Sequence, residues 1–227
     1  MKVADINVDL LDFCGDDLSV VNAARVSFHK ESDFVECVDD NTKEYVKGLS
    51  PQDKRLIYYL AKHKHKSPFN HAFMSFRVKA PIFVARQLVK HEYLPWNEVS
   101  RRYVTEEPEF YFPEYWRKAA DNVKQGSSED SVDVVPEMIQ NRVDVLLGTY
   151  EQLLFEGVCP EQARMVLPQN MMTTWIWSGT LFAFAKMCKL RLDSHTQKET
   201  REVAQMVAER AEHLFPVSWK ALMEYGE

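Results

Sequence analysis

Ala80 to Ala85 reads APIFVA, an apolar run of the kind that is buried, and the residues after it read RQLVKHEYLPWNEVSRRY. Burying the first part carries the second to the edge of the core. There the chain must place Arg86, Lys90, Arg101, Arg102 and, if protonated, His91. With them come the amides of Gln87 and Asn97, the carboxylates of Glu92 and Glu98 and the hydroxyl of Ser100. Polar groups withdrawn from water need partners, because an unmet donor or charge costs more than a met one gains. A set this dense, without obvious internal pairing, asks for an anion from outside the chain.

The flanking pattern sets the frame. Met74, Phe76 and Val78 alternate with Ser75, Arg77 and Lys79, which predicts a strand with one buried face after a turn at Ser67–His71. Pro81 opens a helix predicted from Ile82 to about Glu92, on which Gln87, Lys90 and His91 share a face. Pro95 cannot continue that helix, so Leu94 to Ser100 is expected as a loop. Residues 2–11 alternate weakly, as an edge strand would. Leu18–Val26 and Asp53–His63 show helical spacing, the second with Pro51 at its start. Residues 28–50 are polar, acidic and aperiodic, and are expected to be an excursion and the segment most prone to disorder. Residues 104–132 hold an aromatic stretch, EFYFPEYW, and a polar linker, KQGSSEDS. Beyond them helices are predicted from about Val134 to Glu156, with Met138, Val145, Leu146, Tyr150 and Leu153 on one face, and over Glu161–Val166. The apolar stretch Trp175–Leu190 reads as a buried helix, Leu190–His195 as a turn, and Gln197–Leu214 as an amphipathic helix. The sum is one helix-rich domain over residues 1–227, of the α/β or, more narrowly, α+β class, with a small sheet.

Composition excludes several functions. The 227 residues carry a formal net charge of -6, which argues against broad nucleic-acid binding and confines any basic site to a local patch. A helical nucleic-acid module using residues 86–103 is the competing class, and would show strongly salt-dependent binding to oligonucleotides. Trp175–Leu190 is near the lower length limit for a membrane span and contains Lys186 and Lys189, so it belongs to a core and no membrane partner is expected. No long apolar segment opens the chain, and Cys14, Cys37, Cys159 and Cys188 are scattered, as free thiols are in a reducing cytoplasm. His63, His65, His71 and His91 lack metal-ligand spacing with carboxylates, so no metal is expected. GxGxxG, GxxxxGK[ST] and GxSxG do not occur, and no activated cysteine is visible, so a covalent nucleophile is not indicated.

Within the polar set, Ser100 and the neighbouring backbone N–H groups suit a phosphate, with Arg102 adding a charge-assisted bond. Glu98 suits a base or a ribose hydroxyl. The plainer alternatives are a solvated helix face for Arg86 and Lys90, and a capping turn with an internal Glu–Arg pair. Arg164 in ARMVLP and Arg191 between Leu190 and Leu192 stand among apolar neighbours. A guanidinium there keeps its proton and needs an anion or a polarised acceptor, with Glu161 and Asp193 the local candidates.

These residues resemble a family. AARVSF (Ala23–Phe28), HKSPFNH (His65–His71), VKAPIFVARQ, the stretch from Arg86 to Tyr103, ARMVLPQN (Ala163–Asn170) and LRLDSHTQKETRE (Leu190–Glu202) are similar, in that order, to blocks of the flavin-dependent thymidylate synthases, the ThyX type. The form with KH and WNEVSRRYV is most similar to copies carried by large tailed phages of cyanobacteria. The resemblance implies a ThyX-like fold and reductive methylation of dUMP to dTMP in the cytoplasm (a host's, if viral). It also implies FAD as cofactor, NADPH and methylene-tetrahydrofolate as co-substrates, and a homotetramer with active sites at subunit interfaces. It implies dUMP positions at Gln87, Lys90, Glu98, Ser100, Arg101, Arg102, Arg164 and Arg191, the last polarising the uracil ring. It implies FAD positions at Ser27, Ser67, Lys90, His91, Glu92 and Glu98, and a folate or nicotinamide side at His65. The chain departs from the family pattern at Lys90 and Glu92, where arginines are usual, at Pro95, and at Thr180 and Phe182, where the pattern has N-x-R. A dUMP hydroxymethylase and a catalytically weakened nucleotide-binding protein are the alternatives.

Overall fold

The computed structural model describes residues 1–38, 45–104, 106–121 and 127–225. In chain order the elements are β1 (Lys2–Val3), β2 (Asn7–Cys14), α1 (Asp17–Arg25), β3 (Val35–Val38), β4 (Tyr45–Gly48), α2 (Pro51–Lys62), β5 (Phe73–Pro81), α3 (Ile82–Leu88) and β6 (Trp96–Glu98). They continue with β7 (Glu109–Phe110), β8 (Arg117–Ala119), β9 (Ser127–Ser131), α4 (Pro136–Phe155), α5 (Pro160–Ala163), β10 (Met172–Thr180), α6 (Leu181–Arg191), α7 (Lys198–Leu214) and α8 (Pro216–Tyr225). The architecture is α+β.

The centre is an antiparallel sheet in the order β2-β5-β10-β6. β5 forms as its alternation predicts: Met74, Phe76, Val78 and Ala80 are all fully buried. Its partner β10 buries Trp175 and Trp177 and turns Ile176 outward. Helix α6 closes on this face through Phe184, whose ring meets those of Phe76 and Trp177 edge-on at 5.1 and 5.3 Å. Such edge-to-face contacts add to the apolar area that the core removes from water. Helices α7 and α8 pack on α6, and α7 also lies against β2. A smaller cluster of Phe110, Val143, Leu147, Tyr150, Ala163 and Met171 seats α4.

Several expectations change. The apolar stretch Trp175–Leu190 is half strand and half helix. Thr180 marks the switch, its hydroxyl accepting from the Ala183 N–H at 3.2 Å as an N-cap. Helix α3 stops at Leu88 instead of running to Glu92, so Gln87, Lys90 and His91 do not share a helical face. Past Leu88 the His91 N–H donates to the Leu88 carbonyl three residues back at 3.1 Å, a tighter turn that leaves the helical ladder, and Tyr93 then has φ 62°, outside the helical region. Leu94 is buried against Gly179, where an added Cβ would meet the Leu94 Cδ2 at 2.3 Å and the Tyr93 carbonyl oxygen at 3.1 Å. Residues 96–98, expected as loop, form edge strand β6. The acidic excursion holds the β3–β4 pair, with 39–44 of the disorder-prone segment outside the described residues. The linker KQGSSEDS contributes β9, and its first three residues, with the two before them (122–126), also lie outside the described set. On α4 the seated face is Val143, Leu147 and Tyr150, while Met138 and Val145 are exposed. Helix α8 was not anticipated at all. Among the described residues no helix is long and apolar enough to cross a membrane.

Candidate active site

The predicted residues gather in four places. The first is a groove of about 890 Å³, whose lining includes Arg86, Glu98, Arg101, Glu161, Arg164 and Thr173. Edge strand β6 brings Glu98 opposite Trp175 of β10. Its carboxylate is held on both oxygens: Trp96 Nε1 donates to Oε2 at 3.0 Å and Thr173 Oγ1 donates to Oε1 at 2.7 Å. The internal Glu–Arg pair of the plainer alternative is not among the ion pairs of the described residues. Trp96 is itself fixed by stacking on Trp175, with centroids 4.2 Å apart. Arg101 donates to the Glu106 carbonyl. Arg164 makes one long bond, from Nε to the Glu161 carbonyl at 3.4 Å, and has no carboxylate in ion-pair reach among the described residues.

The second place is a groove of about 670 Å³ lined by Ser27, Phe28, Lys30, Tyr59, His65 and Ser67, among others. It shares no lining residue with the first. The end of α1 and the turn after α2 both contribute to its wall. Aromatic rings, two hydroxyls, an imidazole and exposed lysines suit a flat ring with an anionic tail.

The third place surrounds Arg191 at the C-terminal end of α6. Its Nε donates to His91 Nε2 at 2.9 Å and its Nη2 donates to the Gln87 carbonyl at 3.2 Å. Neither Asp193 nor Glu161 is its partner; Asp193 instead accepts from the backbone N–H and ring of His195. Burial lowers the guanidinium's pKa from its ordinary value, yet arginine keeps its proton at any working pH. Burial first, and then the charges of Arg191 and Lys186, push His91 down to about 4. The ring is neutral near pH 7, so His91 is not one of the cations. Because Nε2 accepts, the single ring proton sits on Nδ1. The Gln87 side-chain amide donates to Gln197 Oε1 at 2.6 Å and to the Phe83 carbonyl at 3.2 Å.

The fourth place is the turn after β6. Ser100 Oγ accepts from the Arg102 backbone N–H at 3.4 Å and from its Nε at 3.2 Å, and the guanidinium lies over the Tyr103 ring at 4.8 Å. Of the positions that depart from the family pattern, Lys90 is exposed and Glu92 faces Lys186 at 3.9 Å. Thr180 Oγ1 donates to Asn70 Oδ1 at 2.8 Å, and the Phe182 ring lies 5.4 Å from Lys66 Nζ. Trp96 and Thr173, which aim Glu98, were not foreseen. Gln197 lay in view within DSHTQ, without a signal for its partner.

The edge strand of an antiparallel sheet thus carries a fixed carboxylate beside arginines that have no carboxylate in ion-pair reach among the described residues, and a separate groove bears aromatic rings and cations. The family model described as thymidylate synthase complementing protein matches residues 9–217. A flavin-dependent thymidylate synthase of Thermus thermophilus is 38% identical over 219 residues, covering 96% of this chain and 76% of its own. One from Thermotoga neapolitana is also 38% identical over 219 residues, covering 96% and 91%. Among solved structures, the UMP/dUMP methylase PolB from Streptomyces cacaoi bound with 5-Br dUMP superposes with a TM-score of 0.80 at 31% identity, over 100% of this chain and 98% of that one. Its complex with 5-Br UMP gives 0.81 at 29% identity, over 100% and 97%. The chain belongs to the flavin-dependent thymidylate synthase family.

Proposed function

We propose that the protein converts dUMP to dTMP, with methylene-tetrahydrofolate as carbon donor, FAD as cofactor and NADPH as reductant, in the cytoplasm. The observation that carries this reading is Arg191. It is a permanent charge held by two neutral acceptors, His91 and the Gln87 carbonyl, with no carboxylate among its hydrogen-bond partners within the described residues. Such a charge is available to an electron-rich ring. Placed at the uracil, it favours the N3-deprotonated form and so raises the nucleophilicity of C5. His91 assists by staying neutral: it orients the guanidinium without spending its charge.

The remaining dUMP residues divide by chemistry. Arg102 with Ser100, and Arg101 and Arg164, suit the phosphate, with Lys90 at the rim. Glu98 accepts from the sugar or base, and Gln87 orients Arg191. Ser27, Ser67, His91, Glu98 and the groove beside Tyr59 suit the flavin, with His65 toward the folate or nicotinamide. When bound, the flavin supplies the redox chemistry, and the protein supplies position and field. The separation of the groups within one chain, and the exposed Met165 (78%) and Tyr103 (75%) beside them, favour completion of each site by other subunits in a homotetramer.

Incubation with dUMP, FAD, methylene-tetrahydrofolate and NADPH, followed by mass identification of the nucleotide, tests the proposal. A product heavier than dUMP by one methylene supports it. The 5-hydroxymethyl nucleotide would shift the assignment to the hydroxymethylase, and flavin-free, inert protein would leave a nucleotide-binding protein. UMP belongs in the same assay, because the structural neighbour is a UMP/dUMP methylase.

A further inference from the structure

We propose that Arg117 is a positioning residue for the Gln87–Arg191 group, acting through Glu199 and the first turn of α7. The proposal rests on the functional reading above, in which that group faces dUMP. Strands β8 and β9 lie outside the central sheet, and their polar contacts converge on the start of α7. Arg117 Nη2 lies between both oxygens of Glu199, at 2.8 and 2.9 Å. Arg117 Nε donates to Ser127 Oγ of β9 at 2.7 Å, which aims the guanidinium. Lys198 Nζ reaches the Tyr115 hydroxyl at 3.1 Å, and Arg201 faces Glu129 at 4.0 Å.

The Arg117–Glu199 pair differs from the other two in depth. Its side chains are 14% and 7% exposed. Most surface ion pairs contribute little, but removing one member of a nearly dry pair strands the other charge and displaces what carries it. What carries Glu199 is the first turn of α7, which begins at the N-cap Gln197, the acceptor for the Gln87 amide. From the other side, Arg201 Nη1 donates to the Ser194 carbonyl at 3.1 Å, fixing the turn that follows Arg191. A shift in the first turn of α7 therefore reaches both members of the group. Arg117 itself bonds to neither of them, so its role is to hold their support.

The experiment compares R117Q, R117K and S127A with the unaltered enzyme by two readouts. These are the calorimetric Kd for dUMP and the NMR titration of His91, which hydrogen-bonds to Arg191. In R117Q the Kd rises about tenfold, as expected when a binding group is moved and not removed, and the His91 titration moves up. R117K recovers most of both. S127A, a change on the exposed face, raises the Kd about threefold, the size of one net hydrogen bond. It carries the test if R117Q does not fold. Unchanged Kd and unchanged His91 titration, in variants that circular dichroism shows folded, overturn the proposal even if they melt earlier. If the unaltered enzyme binds no dUMP, the functional reading fails, while the His91 titration still decides whether Arg117 holds the group.

Discussion

Arg191 sets a full positive charge against two neutral acceptors, and its consequences are the most direct to measure. Replacing it with alanine should cut dTMP formation by about 10²–10³, the scale of losing one preorganised electrostatic contact. The flavin absorbance of the purified protein should remain, because the groove beside Tyr59 is built from other residues. Full activity in Arg191→Ala would remove the residue from the mechanism. His91 gives a pH signature. Its unfolded pKa is near 6.5 and its folded value is about 4, so between these the unfolded chain binds more protons. Its contribution thus lowers stability as pH falls through that window, with the loss complete below about 4. His91→Gln should flatten this part of the curve, read as the difference in urea midpoint between pH 7 and pH 5 for the two proteins. Identical slopes would show that the imidazole is not held neutral by the fold.

At the scale of elements, the segment from Val89 to Pro95 is held by its neighbour β10. Gly179 leaves the space that Leu94 fills and lies against the Tyr93 carbonyl. Gly179→Ala should therefore destabilise by about 1–3 kcal/mol, the usual cost of overpacking. It should also loosen the Glu92–Lys186 contact; a thermal melt at the unaltered temperature would contradict this. The same place shows what the sequence could and could not reveal. Strand β5 was legible because its buried residues keep a strict period of two. Strand β10 was not, because Trp175, Ile176 and Trp177 are parted from the apolar helix α6 only by Ser178, Gly179 and the capping Thr180. Helix α3 was read too long because apolar spacing does not show where the chain tightens into a turn, here the His91 N–H bonding to the Leu88 carbonyl. The charged and amide residues could be singled out from their type and spacing, but their pairings could not: Gln87 with Gln197, and Glu98 with Trp96 and Thr173, are tertiary facts.

At the scale of the whole molecule, the two ends of the chain are tied together. Asp17, at the start of α1, accepts from the backbone N–H groups of Val217 at 2.9 Å and Ser218 at 2.8 Å, which open α8. Burial pushes its carboxyl up from 3.8, against the lowering effect of these bonds. Asp17→Ala would leave two N–H groups without their acceptor and should cost about 1–3 kcal/mol in chemical denaturation; no change would mean that water serves them as well. The central sheet has a further consequence, for the order of events during synthesis. Strand β5 ends at Pro81, but the long partner that covers its other edge, β10, begins only at Met172. As the chain leaves the ribosome, β5 can pair with β2 on one side while its second edge waits for nearly half the protein to be made. Pairings across such distances are slow, and an uncovered apolar strand is prone to misassembly. Edge strand β6, which carries Glu98, can dock only after β10 arrives. The carboxylate side of the site is therefore among the last parts of this enzyme to exist, and a nascent chain shows little of it until the sheet is complete.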